Sequence, residues 1–116
     1  MSAEVKPAIG VDLLEKVDIR VGTIEAVKDI AGSDRLVLLR VSFGDFGRQI
    51  VSGMKQERAN PAEIAGRQAL FVVNLAPRKI RGVVSEGMLF DIGFADGVRP
   101  VLAVPEERVP DGTRCG

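Results

Sequence analysis

The chain has 116 residues, 46% of them apolar and 28% charged, and its sixteen basic side chains balance sixteen acidic ones. That length fits one domain around one core, and the composition is that of an ordinary globular protein. Histidine is absent and Cys115 is the single cysteine, which rules out an internal disulfide and removes the usual ligands of a transition-metal site and the usual general acid or base. No apolar stretch approaches the ~20 residues that cross a bilayer, and Met1 to Pro7 lacks the apolar segment of a signal peptide. A cytoplasmic location is therefore expected. Ser33, Ser52 and Ser85 lack a G-x-S-x-G setting, and no G-x-G-x-x-G or Walker-type loop is present. The residues give no reason to expect catalysis, a metal or a cofactor.

In chain order, residues 1–10 read as a flexible lead, and residues 11–116 as a single domain with a C-terminal extension. Val11 to Lys16 suits a short helical turn. Val17 to Ile24 alternates apolar and polar residues with β-branched side chains, which predicts a strand that can run on through Val27; Gly22 within it suggests a bulge or a sharp bend. Ala31 to Asp34 is a turn. Leu36 to Phe43 predicts a second strand with Val37, Leu39, Val41 and Phe43 on one face. Gly44 to Gly47 is a hairpin loop, and Arg48 to Val51 returns as a third strand. Asn60 to Gly66 predicts one short helix, with Asn60 as N-cap, Pro61 in the first helical position, Glu63 completing a capping box and Gly66 ending it. Gln68 to Val73 predicts a fourth strand, Met88 to Ile92 a fifth, and Val101 to Val104 a further extended run. Pro105 to Gly116 has few strand signals.

Three strands, a short helix and two or more strands describe an all-β chain that must close its sheet or cover its edges. A five-stranded Greek-key barrel with a helix between strands three and four is the OB-fold arrangement. Its fold alone does not assign a function.

Zero net charge hides an uneven distribution. From Arg48 to Arg81 there are seven cations (Arg48, Lys55, Arg58, Arg67, Arg78, Lys79 and Arg81) against two anions, Glu57 and Glu63. Solvated surface charge is the plain explanation; a basic face for a polyanion is the functional one. The densest part, Asn74 to Met88, sets Arg78, Lys79 and Arg81 among glycines and a proline between two apolar runs.

Val17-Asp18-Ile19-Arg20-Val21-Gly22, Gln49-Ile50-Val51-Ser52-Gly53 and the pattern N-L-x-P-x-K-I-x-G-x-x-S-x-G-M from Asn74 to Met88 together resemble the tRNA-binding domain family. The likeness covers residues 12–115. The family includes C-terminal domains of bacterial methionyl-tRNA synthetases, synthetase cofactors, free-standing tRNA-binding proteins and CsaA-type secretion chaperones. The resemblance implies an OB-fold barrel that binds tRNA by shape and backbone, without catalysis, as a free-standing homodimer joined outside the barrel core. It leaves two alternatives: a CsaA-type chaperone for unfolded or presecretory polypeptide, and a subunit that docks on an aminoacyl-tRNA synthetase and lends it RNA affinity. No membrane partner is implied. Two departures stand out. Arg35 replaces a family lysine without the aromatic that follows it, and the tail Val109 to Arg114 resembles the ends of free-standing and chaperone members, although Val51-Ser52-Gly53 and Ser85 to Met88 keep the tRNA-binding pattern. That tail is expected against the barrel or a partner subunit.

The tRNA-contact candidates follow from this. Arg78, Lys79 and Arg81 are phosphate ligands by charge, Arg with two parallel hydrogen bonds and Lys as a point charge. Asn74 and Ser85 either bond an exposed nucleotide or fix their own loop. Met88 either packs on a base or joins the core. Ser52, Lys55 and Arg58 follow the third strand, where Lys55 and Arg58 share a face if the segment is helical. Arg35 and Arg40 are expected on the barrel face beside them, and Arg20 in a structural ion pair. Phe43, Phe71 and Phe90 read as core and Phe46 as an exposed hairpin tip. Without Tyr or Trp, recognition of folded RNA by shape and backbone is favoured over stacking on single strands.

Overall fold

A computed structural model describes residues 3–116. After an extended lead, one helical turn, α1 (Val11–Leu14), precedes the long first strand β1 (Ile19–Asp29). The strands β2 (Val37–Ser42), β3 (Gly47–Ser52) and β4 (Gln68–Val72) follow. Alternation does its expected work in β2. Val37, Leu39, Val41 and the following Phe43 are all at most 2% exposed, because successive strand side chains point to opposite faces. The β2–β3 register is unbroken from Val37↔Ser52 to Ser42↔Gly47.

The irregularity expected at Gly22 lies elsewhere. Gly22 pairs in regular register with Ala69, and the β1–β2 ladder slips between Ile24 and Ala26. The extra residue is Glu25, in the manner of a β-bulge. Gly22 is needed for packing instead: a Cβ there would lie 2.7 Å from both Phe43 Cε1 and Val41 Cγ1.

The main sheet runs β3-β2-β1-β4-β7, with β7 (Met88–Leu89) at its far edge. It curls until β3 meets the segment before β7. Glu86 N donates to Gln49 O (2.8 Å), Gln49 Nε2 donates to Val84 O (2.7 Å), Gln49 N donates to Glu86 Oε1 (3.0 Å), and Val51 N donates to Ser85 Oγ (3.0 Å). Side chains thus complete a seam that main chain alone leaves open. The result is a nearly closed, OB-like barrel, as the element order predicts. Ile24, Leu39, Val41, Ile50, Ile64 and Phe71 fill it at 0% exposure, and the Phe43 and Phe71 rings meet edge-to-face at 5.5 Å.

Several elements depart from expectation. The short helix expected over Asn60–Gly66 is a 3-10 turn, Pro61–Ile64, with Asn60 and Pro61 in the expected positions but no side-chain cap. The box does not form, because Glu63 N donates to Asn60 O (3.1 Å) and the Glu63 carboxylate faces Arg58 (3.5 Å), while Ile64 plugs the barrel. Met88 to Ile92 is not one strand. It breaks at Phe90, and β8 (Asp91–Ile92) pairs with β9 (Val101–Leu102) as a separate ribbon. A 3-10 turn, Phe94–Asp96, lies between them. Phe90 is accordingly only half-buried. The tail is a piece of the wall. Val21 N donates to Thr113 O (2.9 Å), Gly112 N to Val21 O (2.7 Å) and Cys115 N to Ile19 O (2.8 Å), so it covers the stretch of β1 that β2 does not reach.

Phe46 is half-buried rather than exposed. Its ring stacks on Phe43 at 5.2 Å, with the Arg48 guanidinium 4.6 Å and the Arg20 guanidinium 5.6 Å from its centroid. Arg20 makes the ion pair expected of it, its Nε 2.9 Å from Asp18 Oδ1. That hydrogen-bonded guanidinium holds the Asp18 carboxyl below its ordinary value.

Candidate nucleic-acid interface

The basic segment is not a loop but a hairpin of β5 (Arg78–Ile80) and β6 (Val83–Ser85). Arg81 and Gly82 form its two-residue turn with φ of +52° and +80°, the sign pattern of a type I′ turn. Gly82 adopts that backbone freely. For Arg81, among the described residues the one non-glycine with positive φ, it costs about 1 kcal/mol. Strain of this kind gathers where a side chain has a task. Arg81 Nη1 donates to Gly32 O at 3.1 Å, which stitches the hairpin tip to the β1–β2 turn.

That turn is built to present Arg35. Ser33 is 7% exposed, and its Oγ accepts hydrogen bonds from Arg35 N (3.3 Å) and Leu36 N (3.0 Å). The segment after β3 is tied to it by Lys55. Its N donates to Arg35 O (3.0 Å), its Nζ to Ser33 O (3.0 Å), and the ammonium lies 3.2 Å from Asp29 Oδ1. Two connections, one after β1 and one after β4, therefore converge. These are the loops by which OB-folds commonly hold oligonucleotides.

Between them opens a cavity of about 490 Å³. Arg35, Ser52, Arg58, Arg78 and Met88 all line it, although they come from four separate stretches of chain. Arg58 is the least exposed of these cations. Its side chain is 9% exposed, and its Nε–H has no acceptor, so the pairing with Glu63 leaves it hydrogen-bonding capacity. Lys79 and Arg81 stand exposed on the adjoining hairpin.

The other candidates lie apart from the cavity. Arg40 is exposed on β2, opposite Gln49. Lys55 is engaged in the ties just described and shares no helical face with Arg58. Ser85 is 5% exposed and belongs to the barrel seam, its hydroxyl donating onward to Gly87 O at 3.2 Å. Asn74 accepts from Asp18 N (2.9 Å) and donates to Lys16 O (2.7 Å), which pins the entry to β1. Asn74 and Ser85 thus hold the chain itself.

Sequence reasoning missed two residues here. Phe94 also lines the cavity and is 56% exposed; its place between Gly93 and Gly97, both at positive φ, was the available sign of a tight turn that lifts it outward. Arg99 anchors the same segment through its Nε to Glu57 O (3.1 Å).

A second, larger groove of about 1280 Å³ runs between α1 and the tail, lined by Val11, Leu14, Asn74 and Gly112 to Gly116 among others. Burial raises the Cys115 thiol pKa there and makes it a poor nucleophile at neutral pH. Among the described residues, no three His, Cys, Asp or Glu side chains gather to hold a metal ion, and no helix is long and apolar enough to cross a membrane.

Known proteins place this barrel. The "Putative tRNA binding domain" family model matches residues 19–114. The methionine–tRNA ligase of Xylella fastidiosa strain M23 is 37% identical over 105 residues, 90% of this chain but 15% of that enzyme. The chain thus spans less than a sixth of the ligase it matches. The solved "MetRS related protein" of Pyrococcus horikoshii is 34% identical with a TM-score of 0.87, over 96% of this chain and 100% of that one. The chaperone CsaA of Bacillus anthracis shares the fold, with a TM-score of 0.82 at 24% identity over 95% of this chain and 100% of that one. The chain belongs to the tRNA-binding domain family.

Proposed function

We propose that the chain binds tRNA without transforming it, by phosphate contacts and shape, and does so as a homodimer. The observation that carries this reading is the convergence of Arg35, Arg58 and Arg78 on one cavity, with Lys79 and Arg81 on the hairpin beside it. Arginine forks match phosphate geometry, and a rigid cationic surface suits a folded RNA whose grooves are recognised by shape. The molecule's zero net charge limits non-specific attraction, so the local cluster has to supply the affinity.

The dimer reading rests on the groove. Ile9, Val11, Leu13 and Leu14 are 51–69% exposed, an apolar stripe that a second copy would cover. Two cationic faces on one rigid dimer gain by avidity if both reach the same RNA. A location in the cytoplasm fits this reading. So does association with a methionyl-tRNA synthetase, whose relatives carry a similar segment within one chain.

The test is binding of unfractionated tRNA across a salt series, with unstructured RNA of equal length as competitor. The expected result is a preference for tRNA and an affinity that falls steeply with salt. Replacing Arg78, Lys79 and Arg81 together by Ala should weaken binding roughly 100-fold and shrink the salt slope by about 2. Equal binding of both RNAs, or capture of unfolded polypeptide instead, would transfer support to the chaperone alternative.

A further inference from the structure

The cavity beneath the hairpin is not a uniformly cationic trough. Its lining includes Met88 and Phe94, 43% and 56% exposed, together with Val101 at 42%. The same lining holds three guanidinium groups, those of Arg35, Arg58 and Arg78. Large apolar side chains left open beside guanidinium groups are costly as bare surface for phosphate, which needs only the charge. The combination fits a ligand that is apolar and flat at one end and anionic at the other. At about 490 Å³ the cavity lies within the roughly 300–1,000 Å³ of small-ligand sites.

We propose that this cavity receives a single unstacked nucleotide of the bound RNA. The base packs on Phe94 and Met88, and its phosphate lies against Arg35 and Arg78. The inference rests on the RNA-binding function proposed above and goes further, because shape and backbone contacts alone need no base outside its stack. Arg58 also lines the cavity, its side chain 9% exposed and paired with Glu63 through Nη1 at 3.5 Å, which keeps a guanidinium fixed beside the apolar residues. Phe94 is held in position rather than adrift, since Asp91 Oδ1 accepts its backbone N–H at 3.3 Å. A base has a π-face whatever its identity, so the site is tolerant of sequence. It acts as a key for an exposed nucleotide and not as a reader.

Two measurements on the full chain test this. In the first, the Met88 methyl and Phe94 ring signals are followed by NMR during titration with adenosine 5′-monophosphate, and separately with ribose 5-phosphate. The nucleotide should move both signals; the sugar phosphate should leave them in place while moving arginine signals. Unmoved Met88 and Phe94 signals overturn the assignment, as does their movement by an unfolded polypeptide but not by the nucleotide. In the second, Phe94→Ala, which removes an exposed ring and hollows no core, should weaken tRNA binding about 5- to 100-fold. The salt slope and the binding of a blunt RNA duplex should stay as they are. Wild-type affinity in that variant, or equal losses on tRNA and duplex, overturns it. A wild-type chain that binds no tRNA defeats the underlying function instead, and the titration still decides what the cavity accepts.

Discussion

The groove between α1 and the tail and the cavity beneath the hairpin share no lining residue, and they differ in kind. Around the groove, Glu15 and Asp18 offset Lys16 and Arg114, and the exposed surface nearby is aliphatic. Around the cavity, three arginines face one carboxylate, Asp91. Net charge sums over both and so describes neither. On the proposed reading the two serve separate tasks: apolar, charge-balanced surface suits another copy of the chain, and cationic surface suits phosphate. The groove lies between α1, the start of β1 and the tail paired to it, whereas the cavity comes from connections that the barrel strands position. Disturbing one should leave the other intact.

The largest effect should come from the groove. Leu14→Asp places a charge in the apolar stripe, and sedimentation should show monomers in place of dimers with the fold retained. tRNA affinity should then fall by about 100-fold or more, the scale of lost avidity. A variant that stays dimeric puts the seam elsewhere. A monomer with full affinity shows that avidity contributes nothing.

Next comes the cavity alone. Arg78→Ala should weaken tRNA binding roughly 10-fold and lower the salt slope by about 0.7–0.9, the value of one phosphate contact, with the dimer undisturbed. A loss of affinity with an unchanged slope would mean that Arg78 does not touch phosphate.

A smaller effect sharpens the line between holding the barrel and holding RNA. Ser85→Ala leaves the Val51 N–H without its acceptor, which should cost about 1–2 kcal/mol of stability in a denaturant titration. The folded variant should bind tRNA as the wild type does. Lost affinity in a folded Ser85→Ala protein would make Ser85 a ligand as well as a seam residue.

How much of this was legible depended on how local each signal was. Alternation in β2 placed Val37, Leu39, Val41 and Phe43 correctly because burial there follows a period of two. The Asp18–Arg20 pair was legible because residues two apart on a strand share a face. The seam was not, since Val51 and Ser85 are 34 residues apart and a serine in a glycine-rich stretch signals a loop. The hairpin was missed because Arg81 sits where Asn or Gly is usual. The tail read as irregular because its pairing to β1 uses backbone groups, which any residue supplies. Among the contact candidates, Arg35, Ser52, Arg58, Arg78 and Met88 converge on one cavity, a grouping that charge and motif alone do not reveal. Nor do they distinguish cations held in ties, such as Lys55, from those left open.

The smallest effect concerns acid stability, and it bears on the groove again. Asp18 Oδ1 and Oδ2 accept hydrogen bonds from Arg20 Nε (2.9 Å) and Nη2 (3.0 Å), and the carboxyl pKa is lowered from its ordinary 3.8. A folded-state pKa below the unfolded one means that the unfolded chain binds more protons as pH falls. The stabilisation is fully present above the ordinary value and is lost as pH drops through the lowered one. Asp18→Asn should therefore melt slightly below the wild type at neutral pH, with the gap constant down to about pH 5 and closing below it. Asp18 also lines the groove. If the second copy covers the pair there, solvent screens it less, and binding adds to apparent stability by mass action. The neutral-pH gap should then widen as protein concentration rises through the dimer dissociation range. A gap that is independent of concentration leaves the pair in open solvent and moves the seam off that end of the groove, toward α1.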